Sequence, residues 1–184
     1  MGIKNNRASI KQLTVCSMLV ALGVIFLGVG SLVEVLDISM TAVASFCVII
    51  SVIEYGKGAP WMVYAATSVL SFILIPHNKL PAIAFACFFG FYPILKEKLD
   101  KKSVFLQWIL KEIIFNVSLA AIIGLCFLII PEYMSLDLPF AVPLPLVIAV
   151  TVILCEAVFI LYDIAIKRIT AFYVIKLRHR FKLK

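Results

Sequence analysis

The chain has 184 residues, of which 64% are hydrophobic and 15% charged, with a formal net charge of +7. Its mean hydropathy is +1.12. An ordinary globular domain is about half apolar, so this composition excludes a water-soluble globule and requires lipid for the apolar excess to face. The positive charge does not point to nucleic acid. The bases sit at helix ends and in the C-terminal tail, where the cytoplasmic bias of Lys and Arg in membrane proteins accounts for them.

Six apolar runs follow in chain order, to be set against the roughly 20 residues a spanning helix needs. The first is Leu13 to Val33. It is longer than the core of a secretory signal, and Ser31-Leu32-Val33-Glu34 is not a small-residue cleavage site, so it reads as a span rather than a leader. The second is Ile38 to Ile53, the third Ala59 to Ile75 and the fourth Leu80 to Leu95. These three are at the short end of the spanning range and also fit one hairpin fewer, with two re-entrant segments. The fifth is Ile113 to Ile130, with an earlier start at Val104 open, and the sixth is Ala141 to Ile166. Turn residues punctuate them: Gly56, Gly58 and Pro60, then Pro76 to Lys79 with Pro81, then Pro131, Pro139, Pro143 and Pro145.

The charges give an orientation. With the N-terminus inside and the runs alternating, the inner segments hold Lys4, Arg7, Lys11, Lys57, Lys96, Lys98, Lys101 and Lys102, and the C-terminal tail is also basic. The outer segments hold only Lys79 among the bases, and carry Glu34, Asp37, Glu132 and Asp137. A miscounted span would scramble the sides downstream. The expectation is therefore an all-α integral membrane protein of the cell membrane, six transmembrane helices, N-in/C-in, forming a single domain over residues 1–184. The basic cytoplasmic tail, about residues 167–184, reads as an interfacial amphipathic helix attracted to anionic lipid, with Ile169, Phe172, Tyr173 and Leu177 on one face.

Enzyme motifs are missing. There is no H-E-x-x-H, no G-x-S-x-G and no Walker A sequence, so an ATP-driven process needs a separate ATPase. His77 and His179 fall on opposite sides of the membrane by this topology. Cys16, Cys47, Cys87, Cys126 and Cys155 each lie in an apolar run without C-x-x-C spacing, which reads as buried apolar residues rather than metal ligands. The expectation is no catalytic site, no metal and no cofactor.

Candidate site residues come from polar groups in or beside the spans, where ionisable residues are functional suspects. Glu156 lies about 15 Å from the inner end of the sixth run at 1.5 Å per residue. It is either a substrate contact or a packing hydrogen bond to Asn116 or Ser118. Asp163 and Lys111 come to similar depth if the last two runs are antiparallel, which suits a structural ion pair; snorkelling of Lys111 is the alternative. Asp37, Ser39, His77, Asn78 and Asp137 belong to the outer rim. Tyr64, Ser68 and Ser71 share one face of the third run. Ser17-x-x-x-Ala21 is a small-residue step that permits close approach of another helix, internal or from a partner.

Three stretches resemble a known family. Lys11-Gln12-Leu13-Thr14 through Leu19-Val20-Ala21-Leu22-Gly23, Leu36-Asp37-Ile38-Ser39, and Tyr55-Gly56-Lys57-Gly58-Ala59-Pro60 through Phe72 are similar to the first three helices of the substrate-binding S components of energy-coupling-factor importers. The likeness covers about the first 75 residues. It implies capture of a vitamin or similar small nutrient, a membrane coupling subunit meeting the first helix at Ser17 and Ala21, and two ATPase subunits. It also implies outer loops closing over substrate at Asp37, Ser39 and the segment 131–143. Phe88-Phe89-Gly90-Phe91-Tyr92-Pro93-Ile94 matches no part of that family pattern. The competing expectation is a non-transport scaffold or partner subunit of a cell-envelope complex.

Overall fold

The computed structural model describes residues 2–56, 58–76, 78–129 and 144–177, with side chains left undescribed at residues 2–8 and a few other helical positions. Among the described residues every regular element is a helix. In chain order they are α1 (Gly2–Leu32), α2 (Asp37–Tyr55), α3 (Ala59–Leu74), α4 (Leu80–Ala84), α5 (Tyr92–Leu99), α6 (Val104–Ile129) and α7 (Leu144–Phe172). A 3₁₀ turn, Glu34–Leu36, joins α1 to α2; π turns lie at Phe85–Phe89 and Tyr173–Leu177.

Among the described residues four segments are long and apolar enough to cross a membrane: Ser9–Leu32, Asp37–Tyr55, Leu80–Leu99 and Val104–Cys126. The apolar helix Ala59–Leu74 is shorter. Large apolar side chains remain exposed along them, including Met18 at 74%, Ile73 at 70% and Val117 at 65%. On a soluble monomer such a surface would aggregate; on this one it is the surface that meets lipid. The chain is a membrane-embedded helical protein.

The chain divides into two compact units, residues 1–125 and 126–184. In the first, α1, α2 and α3 pack on one another and α4–α5 lies against α2. Short turns reverse the chain between them. Gly56, at φ +66°, ends α2 in the left-handed region that a glycine adopts without strain, and Pro60 opens α3 in its first turn. Small residues allow close approach: a Cβ on Gly23 would lie 3.1 Å from Thr67 Cγ2 on α3, and one on Gly30 would lie 3.1 Å from Met40 Cβ on α2. The close approach of α1 within this unit thus runs along Gly23 and Gly30. Ser17 and Ala21 lie on its exposed face.

The most enclosed span is Leu80–Leu99, 67% buried against 17% for Val104–Cys126. It is also the interrupted one. Pro93 has no N–H and its ring crowds the carbonyl four residues back, which favours an interruption of the α-helix there. The chain widens into the π turn, where Gly90 N donates to Phe85 O at 2.8 Å, and resumes as α5. Phe85 and Tyr92 are fully buried. Phe88 packs on Tyr92 at 4.9 Å between ring centroids and on Phe115 of α6 at 5.4 Å.

At the α5–α6 turn Lys111, 2% exposed, pairs with Asp100 at 2.9 Å. Asp163, in the second unit, lies 3.8 Å from Lys167 one turn along its own helix. α7 runs past Ile164 to Phe172 and a π turn follows to Leu177; the rest of the basic tail lies outside the described residues.

Candidate functional site

Two sets of polar contacts in the first unit join the residues singled out from sequence across different helices. The first lies at the end where α1 passes into α2 and α3 into α4. Asp37 sits in the first turn of α2, where the helix dipole favours a carboxylate, and is only 5% exposed. Asn78, on the α3–α4 connection, donates from Nδ2 to Asp37 Oδ2 at 2.7 Å and from its backbone N–H to Ser31 Oγ at 3.2 Å. Its Oδ1 accepts from Leu80 N at 2.9 Å, closing the first turn of α4. One asparagine therefore ties the end of α1, the start of α2 and the start of α4. Thr41 donates to Asp37 O at 2.7 Å beneath it. Lys79 donates to Phe72 O at 2.9 Å and so caps the last turn of α3.

The second lies at the helix interruption. Tyr64 Oη donates to Ala86 O, within the π turn, at 2.8 Å. The π geometry frees backbone carbonyls that an α-helix would use, and a membrane interior supplies no water in their stead. The Tyr64 ring also contacts Phe85, Phe91 and Trp61, at centroid distances of 6.3, 6.4 and 5.9 Å. Tyr64→Phe should lower the thermal midpoint through the loss of about 1 kcal/mol of hydrogen bonding. A thermal unfolding curve in detergent beside wild type reads that change.

Of the residues singled out from sequence, Asp37 and Asn78 are brought together. Ser39 is exposed and takes no part in that contact. Tyr64 engages the π turn, whereas Ser68 and Ser71 donate to carbonyls of their own helix, Tyr64 O and Ser68 O, both at 2.9 Å. Ser17 donates to Leu13 O at 3.0 Å. His77, Asp137 and the segment 131–143 lie outside the described residues. Glu156 is half-buried on α7, in the second unit. Asn116 and Ser118 donate to Glu112 O and Ile114 O on their own helix. Sequence reading missed Ser31 and Ala86. Ser31 was visible as a serine six residues before Asp37, near the end of the first run; a backbone carbonyl leaves no sequence signal.

Among the described residues no group of three His, Cys, Asp or Glu is placed to hold a metal ion, and the five cysteines are not joined in disulfides. The fold and the site define a membrane-embedded helical protein with a buried carboxylate latched by an asparagine at one end. Compared with protein-family models, curated proteins and solved structures, the chain matches none.

Proposed function

We propose that this chain is the substrate-capturing membrane subunit of an energy-coupling-factor type importer, taking up a vitamin or similar small nutrient. It is not itself an enzyme. Six helices cross the cell membrane with both termini in the cytoplasm, and separate ATPase subunits energise it through a membrane coupling subunit. The observation that carries this reading is the Asp37–Asn78–Ser31 latch. A carboxylate buried at the join of three helix ends is costly, and such groups are by default functional suspects; here it sits where two loops meet. The exposed Ser17 and Ala21 on α1 fit a face for the coupling subunit. The basic residues around the Gly56–Gly58 and Asp100–Ser103 turns, against Asp37 at the opposite end, support the N-in orientation. Lys79, the one base assigned outside, is occupied in capping α3.

Purification of the tagged full chain, with mass spectrometry of what accompanies it, tests this. A retained small molecule and an ATPase are the expected companions; an envelope complex without either sinks the proposal. Orientation has its own test. A cysteine at Lys101 should react with an impermeant maleimide only after permeabilisation, and one at Lys79 in intact cells. The reverse pattern would invert the topology.

A second reading, a scaffold subunit of a cell-envelope complex, draws on the filled aromatic interior around Phe85, Phe88 and Tyr92 together with the same exposed face of α1. The companions of the purified chain separate the two.

A further inference from the structure

The turn between α5 and α6 is built as a fixed basic platform. Gln107 reaches back from α6 and donates from Nε2 to Asp100 O at 3.0 Å and to Lys102 O at 2.6 Å. The Lys102 N–H donates to Leu99 O at 2.9 Å. The two acids near the turn are engaged: Asp100 by the buried Lys111 at 2.9 Å and Glu97 by Lys101 at 3.4 Å. Lys98 and Lys102 are exposed and have no acidic partner among the described residues. Directly beyond them the span Val104–Cys126 begins. Its first residues carry Phe105, 79% exposed, and Trp108, 44% exposed. Spaced by three, these two share a helix face, at the depth where aromatic side chains meet the headgroup region.

We propose that this turn is a docking surface for anionic glycerophospholipid. The Lys98 and Lys102 ammonium groups take the phosphodiester and headgroup charge. Phe105 and Trp108 take the glycerol region and upper acyl chain. An acidic protein surface would satisfy the lysines but leave two large apolar rings uncovered at the membrane boundary; a lipid satisfies both. The N-terminus of α6 adds partial positive charge at the same place. The inference rests on membrane residence and not on the importer reading. It also lies apart from the basic C-terminal tail.

The chain has two tryptophans, so Trp61→Phe leaves Trp108 as the sole indole reporter. The full-length Trp61→Phe protein is placed in phosphatidylcholine nanodiscs containing a fixed fraction of either brominated-chain phosphatidylglycerol or brominated-chain phosphatidylcholine. Quenching of Trp108 then reports which lipid occupies the surface. The expected anionic preference is about fivefold for each engaged lysine, from the ~1 kcal/mol a basic residue gains at an anionic surface. It should fall toward unity in Lys98→Gln/Lys102→Gln, persist in Lys98→Arg/Lys102→Arg, and collapse in 1 M salt, where the screening length is about 3 Å. A ratio near unity in the parent protein overturns the proposal and leaves the lysines to an acidic protein partner. A preference that survives the glutamine pair overturns it as well. The salt titration needs no variant, so a poorly folded glutamine pair does not spoil the test. Neither failure bears on substrate capture, which is read from co-purified small molecules.

Discussion

Gly90→Ala is expected to be the most damaging single-atom-scale change in the first unit. A Cβ at that position would lie 2.5 Å from Tyr64 Cδ2, 2.8 Å from Tyr64 Cε2 and 2.9 Å from Phe85 Cε1. Side-chain carbons do not approach so closely, so something must move. Neither ring is a loose end. Tyr64 is pinned through its hydroxyl to Ala86 O, and Phe85 is fully buried. Overpacking of this kind costs about 1–3 kcal/mol, and two pinned neighbours place it toward the upper end. Gly28→Ala and Gly124→Ala are the controls: nothing lies within 4 Å of a Cβ at either, and alanine in a helix gains up to about 1 kcal/mol over glycine. Thermal unfolding of purified protein in one detergent should rank Gly90→Ala well below wild type and the two controls at or above it. Combining Gly90→Ala with Tyr64→Ala removes two of the three clashing atoms. The pair should be less damaging than the sum of its members by 1 kcal/mol or more, within the usual range for contacting residues of roughly 0.5–3 kcal/mol. Strict additivity would mean the Tyr64 ring is not what fills that space.

The same region shows what could be read from sequence and what could not. Hydropathy places the fourth run at Leu80 to Leu95, and α5 continues to Leu99 because Lys96, Glu97 and Lys98 lower hydropathy without disturbing helical hydrogen bonding. Gly90 and Pro93 were visible as punctuation. Their consequence, a π turn with a carbonyl held by Tyr64 from another helix, depends on a contact between residues 22 apart in sequence. Likewise the second run was read to Ile53 and the helix extends to Tyr55, where Gly56 supplies the backbone that stops it. Spans are legible because lipid imposes one requirement on about twenty residues at once. Polar pairings are not, because each is decided by two side chains. Lys111 illustrates this: the α5–α6 turn brings it to Asp100, eleven residues back, a pairing that no periodicity encodes.

Asp37 and Asn78 were both assigned to one rim by charge and turn position, and only packing joins them, 41 residues apart. Their second-largest expected effect follows from that join. Asp37→Ala removes the acceptor of a 2.7 Å bond and leaves the Asn78 amide facing the space vacated by a carboxylate that is 5% exposed. Losing one partner of such a pair costs about 1–3 kcal/mol. Asn78→Ala should cost a similar amount, and more if the α4 turn loosens without the Leu80 N to Asn78 Oδ1 bond. The double variant should show a coupling of at least 0.5 kcal/mol by thermal or chemical unfolding, since the two act through one bond. Asp37→Asn separates structure from task. It keeps the side-chain size and can still accept from Asn78, so the fold should hold close to wild type. It removes the charge. If the importer proposal is right and the carboxylate meets the substrate, the bound fraction of the co-purified small molecule should fall in line with an affinity loss of roughly ten- to a hundredfold, the worth of a charged hydrogen bond. A folded Asp37→Asn protein that retains its small molecule at the wild-type level would reduce the latch to a staple between helix ends. Loss of the molecule in Asp37→Asn, with the unfolding midpoint unchanged, would place Asp37 in contact with what the protein captures.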